Sequence, residues 1–261
     1  MPRGALGRRG SGLILCYHAI SDEWADPLAV TPRSFLRQIR GLLDRGFRGA
    51  PLAEVLEEDH KFMHVTFDDA FRNIEVGLRE LERLKVPATI FVCSGLAEDG
   101  RSLDVPEVRE RARSHPRATE TMDWATLREL RSRGFGLGSH TISHPHLTRL
   151  SDAQLETELA GSRRHIEEVL QEPCPFLAYP YGESDQRVRR AAECAGYTAA
   201  FSLRRAGDDD RFGLPRVDVY RGDGPIRFRL KTSAVRRAAV RFRSSSAAQR
   251  PSRGDPATRG G

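Results

Sequence analysis

Short apolar runs along this chain alternate with longer stretches in which apolar residues recur every three or four positions. The short runs fall at 13–17, 63–67, 88–93, 136–139, 176–179, 199–202 and 216–220, each of strand length. Between the first two, Thr31-Pro32 reads as an N-cap followed by the first helical residue, and Phe35, Ile39, Leu42 and Leu43 then share one face. Between the second and third, Val76, Leu78, Leu81 and Leu84 form a similar stripe. Between the fourth and fifth, Ser151 and Gln154 have capping-box spacing ahead of Leu155, Leu159, Ile166 and Leu170. Strand–helix alternation of this kind predicts an α/β fold with a parallel sheet, open or closed into a barrel.

Two stretches break the pattern. Residues 98–120 are charged and irregular, and read as an insertion or mobile loop. Beyond Val235 the chain is rich in Arg, Ser and Ala and predicts a disordered tail. A length of 261 residues suffices for one barrel-sized domain or two smaller ones. The net charge of +6 changes meaning once it is located. From Arg227 onward there are ten Lys or Arg and one acid, whereas residues 1–226 hold 32 basic and 35 acidic residues. The body is thus near neutral, which argues against a nucleic-acid-binding face. The basic tail is read either as a peripheral contact with anionic lipid at the inner face of a membrane or as a solubilising end. Four scattered cysteines form no CxxC pair, and Cys16 and Cys93 read as buried free thiols. With no apolar h-region near the N-terminus and no run of membrane-spanning length, the expected location is cytoplasmic. The oligomeric state is open.

Candidate chemistry sits at the ends of the predicted strands. Asp68 and Asp69 follow the run 63–67, and side-chain alternation lets adjacent carboxylates take different tasks. The competing reading is a pair of caps for a helix over 71–84. His140 and His144 have i, i+4 spacing, but Pro145 after them and Gly138-Ser139 before them place them on a loop leaving a strand. His146 reads as structural, redirected by Pro145. The run 176–179 ends in Pro180-Tyr181-Gly182, a turn able to expose a backbone N–H to an oxyanion. Two imidazoles and a carboxylate for one divalent metal, with a second carboxylate beside them, are the minimum set for metal-assisted hydrolysis.

These segments resemble the motifs of NodB-type polysaccharide deacetylases, carbohydrate esterase family 4. Thr66-Phe67-Asp68-Asp69 is similar to the first motif, with Ala70 where Gly is commoner. His140-Thr141-Ile142-Ser143-His144 matches the second, and residues 178–182 match the third in their Pro-Tyr-Gly portion. The resemblance covers about residues 13–230. It implies a distorted (β/α) barrel of about seven strands over 13–234, between a flexible N-terminus (1–12) and the tail (235–261). It further implies Asp69, His140 and His144 as metal ligands, Asp68 as general base and the Tyr181 N–H as oxyanion donor. Zinc is the expected metal, with cobalt, iron and nickel compatible. The implied reaction removes acetyl groups from N-acetylhexosamine units of a polysaccharide, an oligosaccharide or a lipid-linked precursor.

The chain also departs from that pattern. The third motif commonly begins with an Arg that holds the base, and here the position is Ala178. Arg216 is expected to replace it by approaching Asp68. The usual acid is a late histidine, and no histidine follows His165. His18, at the end of the first strand, is the candidate acid. Tyr179, Tyr181 and Trp124 are candidates for stacking on sugar rings, with core packing as the default for each. Two other classes compete: a non-catalytic or weakly active sugar-binding relative, and a two-histidine-one-carboxylate iron oxygenase. Strand–helix alternation and the Pro-Tyr-Gly turn weigh against the oxygenase.

Overall fold

In the computed structural model, residues 12–58, 60–203 and 210–233 are described. Strands are β1 (Leu13–Tyr17), β2 (Ala19–Ile20), β3 (Ala29–Val30), β4 (Arg48–Gly49), β5 (Phe62–Phe67), β6 (Ala88–Val92), β7 (Gly136–Ser139), β8 (Phe176–Ala178), β9 (Ala199–Ser202), β10 (Leu214–Pro215) and β11 (Val217–Asp218). Helices are α1 (Pro32–Asp44), α2 (Leu52–Glu57), α3 (Glu75–Leu84), α4 (Pro106–Ala112), α5 (Trp124–Ser132), α6 (Asp152–Leu170), α7 (Gln186–Cys194) and α8 (Pro225–Lys231). The caps expected at Thr31 and Ser151 are present, the second as a full capping box with Gln154.

The main sheet is parallel and runs β10-β9-β8-β7-β6-β5-β1-β11, with β4 on β5. Its two outer members are one residue apart in sequence. The predicted strand at 216–220 is therefore two short pieces, β10 on β9 and β11 on β1, and Arg216 lies between them. One five-residue segment thus joins the edges of the sheet, giving a nearly closed barrel with helices outside, as the sequence predicted.

Side chains divide by parity. Leu13, Leu15 and Tyr17 of β1, Met63, Val65 and Phe67 of β5, and Ala88, Ile90 and Val92 of β6 belong to the core shared with the helices. Their alternates face the lumen. Ile14, Phe91, Ala178 and Phe201 form its apolar part, closed at one end by Leu52 and Val55 of α2. Gly138 is required because a Cβ there would meet the Phe91 ring at 2.6 Å. On β5 the alternates are polar: His64, Thr66 and then Asp68, a buried column rising toward the C-terminal rim.

Residues 98–120 correct the expectation of an insertion or mobile loop. They are folded, with α4, a 3-10 turn at Pro116–Thr119 and a bridge from Ser102 to Glu120. Leu103, Val105, Val108, Ala112 and Ala118 pack with Trp24 and Phe71 into a satellite core. Cys16, Cys93 and Cys174 are buried free thiols. No helix among the described residues is long and apolar enough to cross a membrane. The predicted tail at 235–261 and all but Gly12 of the N-terminus lie outside the described residues.

His64 gives the fold an acid sensitivity. Its Nδ1 lies 2.8 Å from the Ala50 carbonyl and its Nε2 2.9 Å from the Thr89 hydroxyl, and burial lowers its pKa to about 4. The folded value is below the unfolded one of ~6.5, so the stability it contributes is complete above that pH and is lost as pH falls toward about 4. At about 1.4 kcal/mol per pH unit the loss is roughly 3 kcal/mol. Urea unfolding at a series of pH values is expected to show His64→Asn with a shallower acid slope by about that amount; parallel slopes would contradict the assignment.

Candidate active site

The site lies at the C-terminal ends of β1, β5, β7 and β8 and at the closing segment, the rim where ligands bind in parallel barrels. Asp68 continues the polar column of β5, its N–H bonded to the Tyr17 carbonyl at 2.9 Å. Asp69 follows with φ 67° and Ala70 with φ 53°, so the chain turns sharply in the left-handed region. Neither carboxylate caps the next helix: the 3-10 turn Arg72–Ile74 and α3 have no side-chain cap.

Among the described residues, five of the seven non-glycine residues with positive φ (Asp69, Ala70, Thr141, His144 and Tyr181) are here, and the other two, Lys85 and Gln171, end helices. Such conformations cost of order 1–3 kcal/mol each and persist only where the surroundings hold them. The His140–His144 loop shows how. Glu158 of α6 accepts from the N–H groups of Ile142 at 2.8 Å and Ser143 at 3.1 Å and from the Ser143 hydroxyl at 2.6 Å. The Thr141 hydroxyl accepts from the His144 N–H at 3.1 Å.

The loop and β5 bring three donors together. His140 Nε2 and His144 Nε2 lie 3.5 and 3.4 Å from Asp69 Oδ1. The Ala178 carbonyl, 2.7 Å from His140 Nδ1, accepts a hydrogen bond from the Nδ1–H and leaves the Nε2 lone pair facing Asp69. Asp69 Oδ1 is buried with no hydrogen-bond partner among the described residues. Burial lowers the pKa of both imidazoles, which favours the neutral form that a metal ligand needs. Burial, then the adjacent Asp68 charge, pushes the Asp69 carboxyl well up. An orphaned carboxylate oxygen facing two imidazole nitrogens fits a divalent cation, whose charge would reverse that upward shift.

Asp68 has the opposite environment. Arg216 Nη1 donates to its Oδ1 at 2.6 Å and Nη2 to its Oδ2 at 2.7 Å, with both side chains buried. Nη1 also donates to Thr66 Oγ1 at 3.0 Å, and the Cys16 thiol donates to Asp68 Oδ2 at 3.4 Å. Burial would raise the Asp68 carboxyl, but Arg216 and His140 outweigh it and hold it well below the usual range. His18 lies in the same corner: a ring nitrogen, the Cys16 sulfur and an Asp68 oxygen fall within 4.8 Å of one another. Burial lowers its pKa to about 4, so it rests neutral.

The Pro-Tyr-Gly turn gives Tyr181 φ 59°, and no backbone carbonyl among the described residues accepts its N–H. Gly182 has φ 64°, and a Cβ there would meet Leu203 at 2.6 Å. The Tyr181 ring stands edge-on to His144, centroids 4.7 Å apart. His146 is not turned away by Pro145: it stacks on Tyr181 at 3.8 Å and 7°, between Glu107 and Glu183. Tyr179 is fully buried with its hydroxyl on the Phe212 carbonyl, and Trp124 is packed against His165, so of the three aromatics only Tyr181 reaches the rim.

The profile of the polysaccharide deacetylase family matches residues 56–200, more than half of the chain, and spans both the Asp68-Asp69 and the His140–His144 segments. The chain belongs to the polysaccharide deacetylase family. Its sequence is 26% identical over 220 residues to the Bacillus subtilis protein YxkH, itself named as a polysaccharide deacetylase, covering 80% of this chain and 71% of that protein. Its fold is similar to that of the polysaccharide deacetylase BC0361 from Bacillus cereus, with TM-score 0.70, 23% identity, and coverage of 86% of this chain and 70% of that one. It is similar also to the Streptococcus pyogenes deacetylase PplD, with TM-score 0.71, 22% identity, and coverage of 87% and 99%. In this member of the family, Glu107, His146, Glu158 and Cys16 are neighbours of the site that sequence reasoning missed or placed elsewhere. Only His146, two residues from a ligand candidate, carried a signal.

The Asp68–Arg216 pair should be strongly coupled. Arg216→Met leaves a buried carboxylate unpaired and is expected to cost about 3–5 kcal/mol in denaturant unfolding. Asp68→Asn should then cost less in that background than in the native chain. Additive losses in the double variant would contradict a coupled pair.

Proposed function

We propose that this chain is a metal-dependent N-deacetylase of N-acetylhexosamine units in a glycan. The observation that carries the reading is the contrast between adjacent carboxylates, Asp68 paired with Arg216 and Asp69 facing two imidazoles. Asp69, His140 and His144 would hold a divalent cation, with zinc suited to the donor set and cobalt, iron or nickel compatible. Bound there, such an ion supplies Lewis-acid polarisation of a carbonyl and a water acidic enough to lose its proton near neutral pH.

The chain's own groups do the rest. Asp68, kept ionised by Arg216, takes the proton of the attacking water. Oxygen then bonds to the acetyl carbon, and the Tyr181 N–H donates to the developing oxyanion. The C–N bond breaks as the nitrogen gains a proton, giving acetate and a free amine on the sugar. His18 is assigned the return of that proton: it stands neutral beside Asp68 and can relay what Asp68 has collected. With its pKa lowered to about 4, the imidazolium that His18 becomes on taking the proton from Asp68 is a strong but sparsely populated donor, which also suits a weakly active relative.

Acetate release from a panel of N-acetylhexosamine oligomers tests the reading. Asp68→Asn is expected to keep its metal and lose ~10²–10⁴ in turnover. Asp69→Asn should lose the metal itself. Equal release by Asp68→Asn and the native protein would refute the mechanism, and no release from the metal-loaded native protein would leave the sugar-binding relative. His18→Gln should alter turnover and its pH profile. Because burial and the Asp68 charge push the Asp69 carboxyl up when no cation is bound, zinc uptake should be accompanied by proton release and tighten as pH rises, measurable by titration calorimetry in buffers of different ionisation enthalpy.

A further inference from the structure

The last helix is rigidly seated yet presents an apolar face outward. Ile226 is 86% exposed and Leu230 59%, the exposed large hydrophobic side chains among the described residues. At i and i+4 they share one face of α8. The opposite face is fixed: Phe228 is buried, and Lys231 Nζ donates to the Asp218 carbonyl at 3.0 Å and to Asp223 Oδ2 at 2.7 Å. Packing therefore holds the aliphatic pair in solvent.

Its surroundings are basic. Arg227 is largely exposed, with its Nε 2.9 Å from Asp223 Oδ1. Arg229 lies close enough to Arg45 that its charge, after partial burial, lowers the Arg45 pKa. Arg45 itself donates to the neutral Thr232, at 2.8 Å to Oγ1 and 3.0 Å to the carbonyl. Directly beyond, residues 234–261 contain seven arginines and one acid, Asp255.

We propose that α8 seats the protein on an anionic lipid bilayer, with Ile226 and Leu230 entering the acyl boundary and the arginines meeting the headgroups. Stable peripheral attachment takes two signals, a short apolar anchor and a polybasic segment, and here they are contiguous. Two aliphatic side chains fall far short of the roughly 1,000 Å² a stable protein interface buries, and two copies would bring like-charged tails together. Nucleic acid would meet the arginines but gives the aliphatic pair nothing to enter.

Flotation of the 261-residue chain with vesicles of phosphatidylcholine alone, or mixed with phosphatidylglycerol, tests this. Binding is expected to the mixed vesicles, to fall as salt rises, and to weaken about ten-fold or more in Ile226→Ser/Leu230→Ser. Arg229→Glu should weaken it as well. No binding to mixed vesicles, equal binding to both compositions, or undiminished binding by the double variant would each overturn the proposal. So would a concentration-dependent dimer, seen by light scattering, that the double variant abolishes. The surface pair touches no site residue, so acetate release from a soluble oligosaccharide should be the same in the double variant and the native chain. That readout keeps failure of the membrane proposal distinct from failure of the deacetylase reading.

Discussion

The bidentate pair between Asp68 and Arg216 is the constraint on which the rest of this structure depends. It is buried, and its cost of desolvation is recovered only because nearly every polar atom has a partner. Both carboxylate oxygens take a guanidinium N–H, and Thr66 shares one of them. The partners come from different parts of the sheet order. Asp68 directly follows β5, an interior strand, while Arg216 sits on the segment that touches both edges. Arg216 also donates its backbone N–H to the Ser202 carbonyl at 3.0 Å, and Val219 donates to Cys16 at 2.9 Å. Closure of the barrel and ionisation of Asp68 are therefore one event. A barrel that opened between β10 and β11 would release the arginine and let burial raise the carboxyl.

Backbone strain shows the same economy from another side. Five left-handed non-glycine residues at one rim are a local loss of stability, of order 1–3 kcal/mol each. They are supported by helices whose own burial is ordinary. Glu158, on α6, holds two consecutive N–H groups of the histidine loop, and Gly95 and Gly161 leave room for Ile142 between them, where a Cβ on either would approach it to 2.9 Å. The helix shell thus fixes the loop, and the loop fixes the imidazoles.

The strand–helix alternation was legible because each strand offers the shell a full set of apolar residues. The run 63–67 read as apolar, yet Met63-His64-Val65-Thr66-Phe67-Asp68 is strictly alternating, and its polar half lines the lumen. The carboxylate and histidine pairs were legible from their places after strands. Residues 98–120 were not: Leu103, Val105 and Val108 are too sparse among arginines and acids to show a period, and they are buried only because Trp24 and Phe71 meet them. Nor was Glu158, since a glutamate on a helix is ordinarily solvated and only the loop above it gives it a task. Arg216 was legible only through the family resemblance, whose third motif commonly begins with an arginine where this chain has Ala178.

That substitution has a physical logic. Ala178 faces a lumen shared with Phe91 and Phe201, whose rings stand 5.8 Å apart, and a guanidinium there would have to displace them. The small side chain lets the aromatic pair fill the barrel, while the Ala178 carbonyl orients His140. The charge is delivered instead from the closing segment, with the guanidinium carbon 5.3 Å from the Phe91 ring centroid. A cation over an aromatic face loses less on leaving water than one in an aliphatic cavity. Filling the lumen with aromatics and moving the arginine to the seam are thus mutually supporting changes. The role belongs to the position a guanidinium can reach, and position 178 keeps only its backbone share of it.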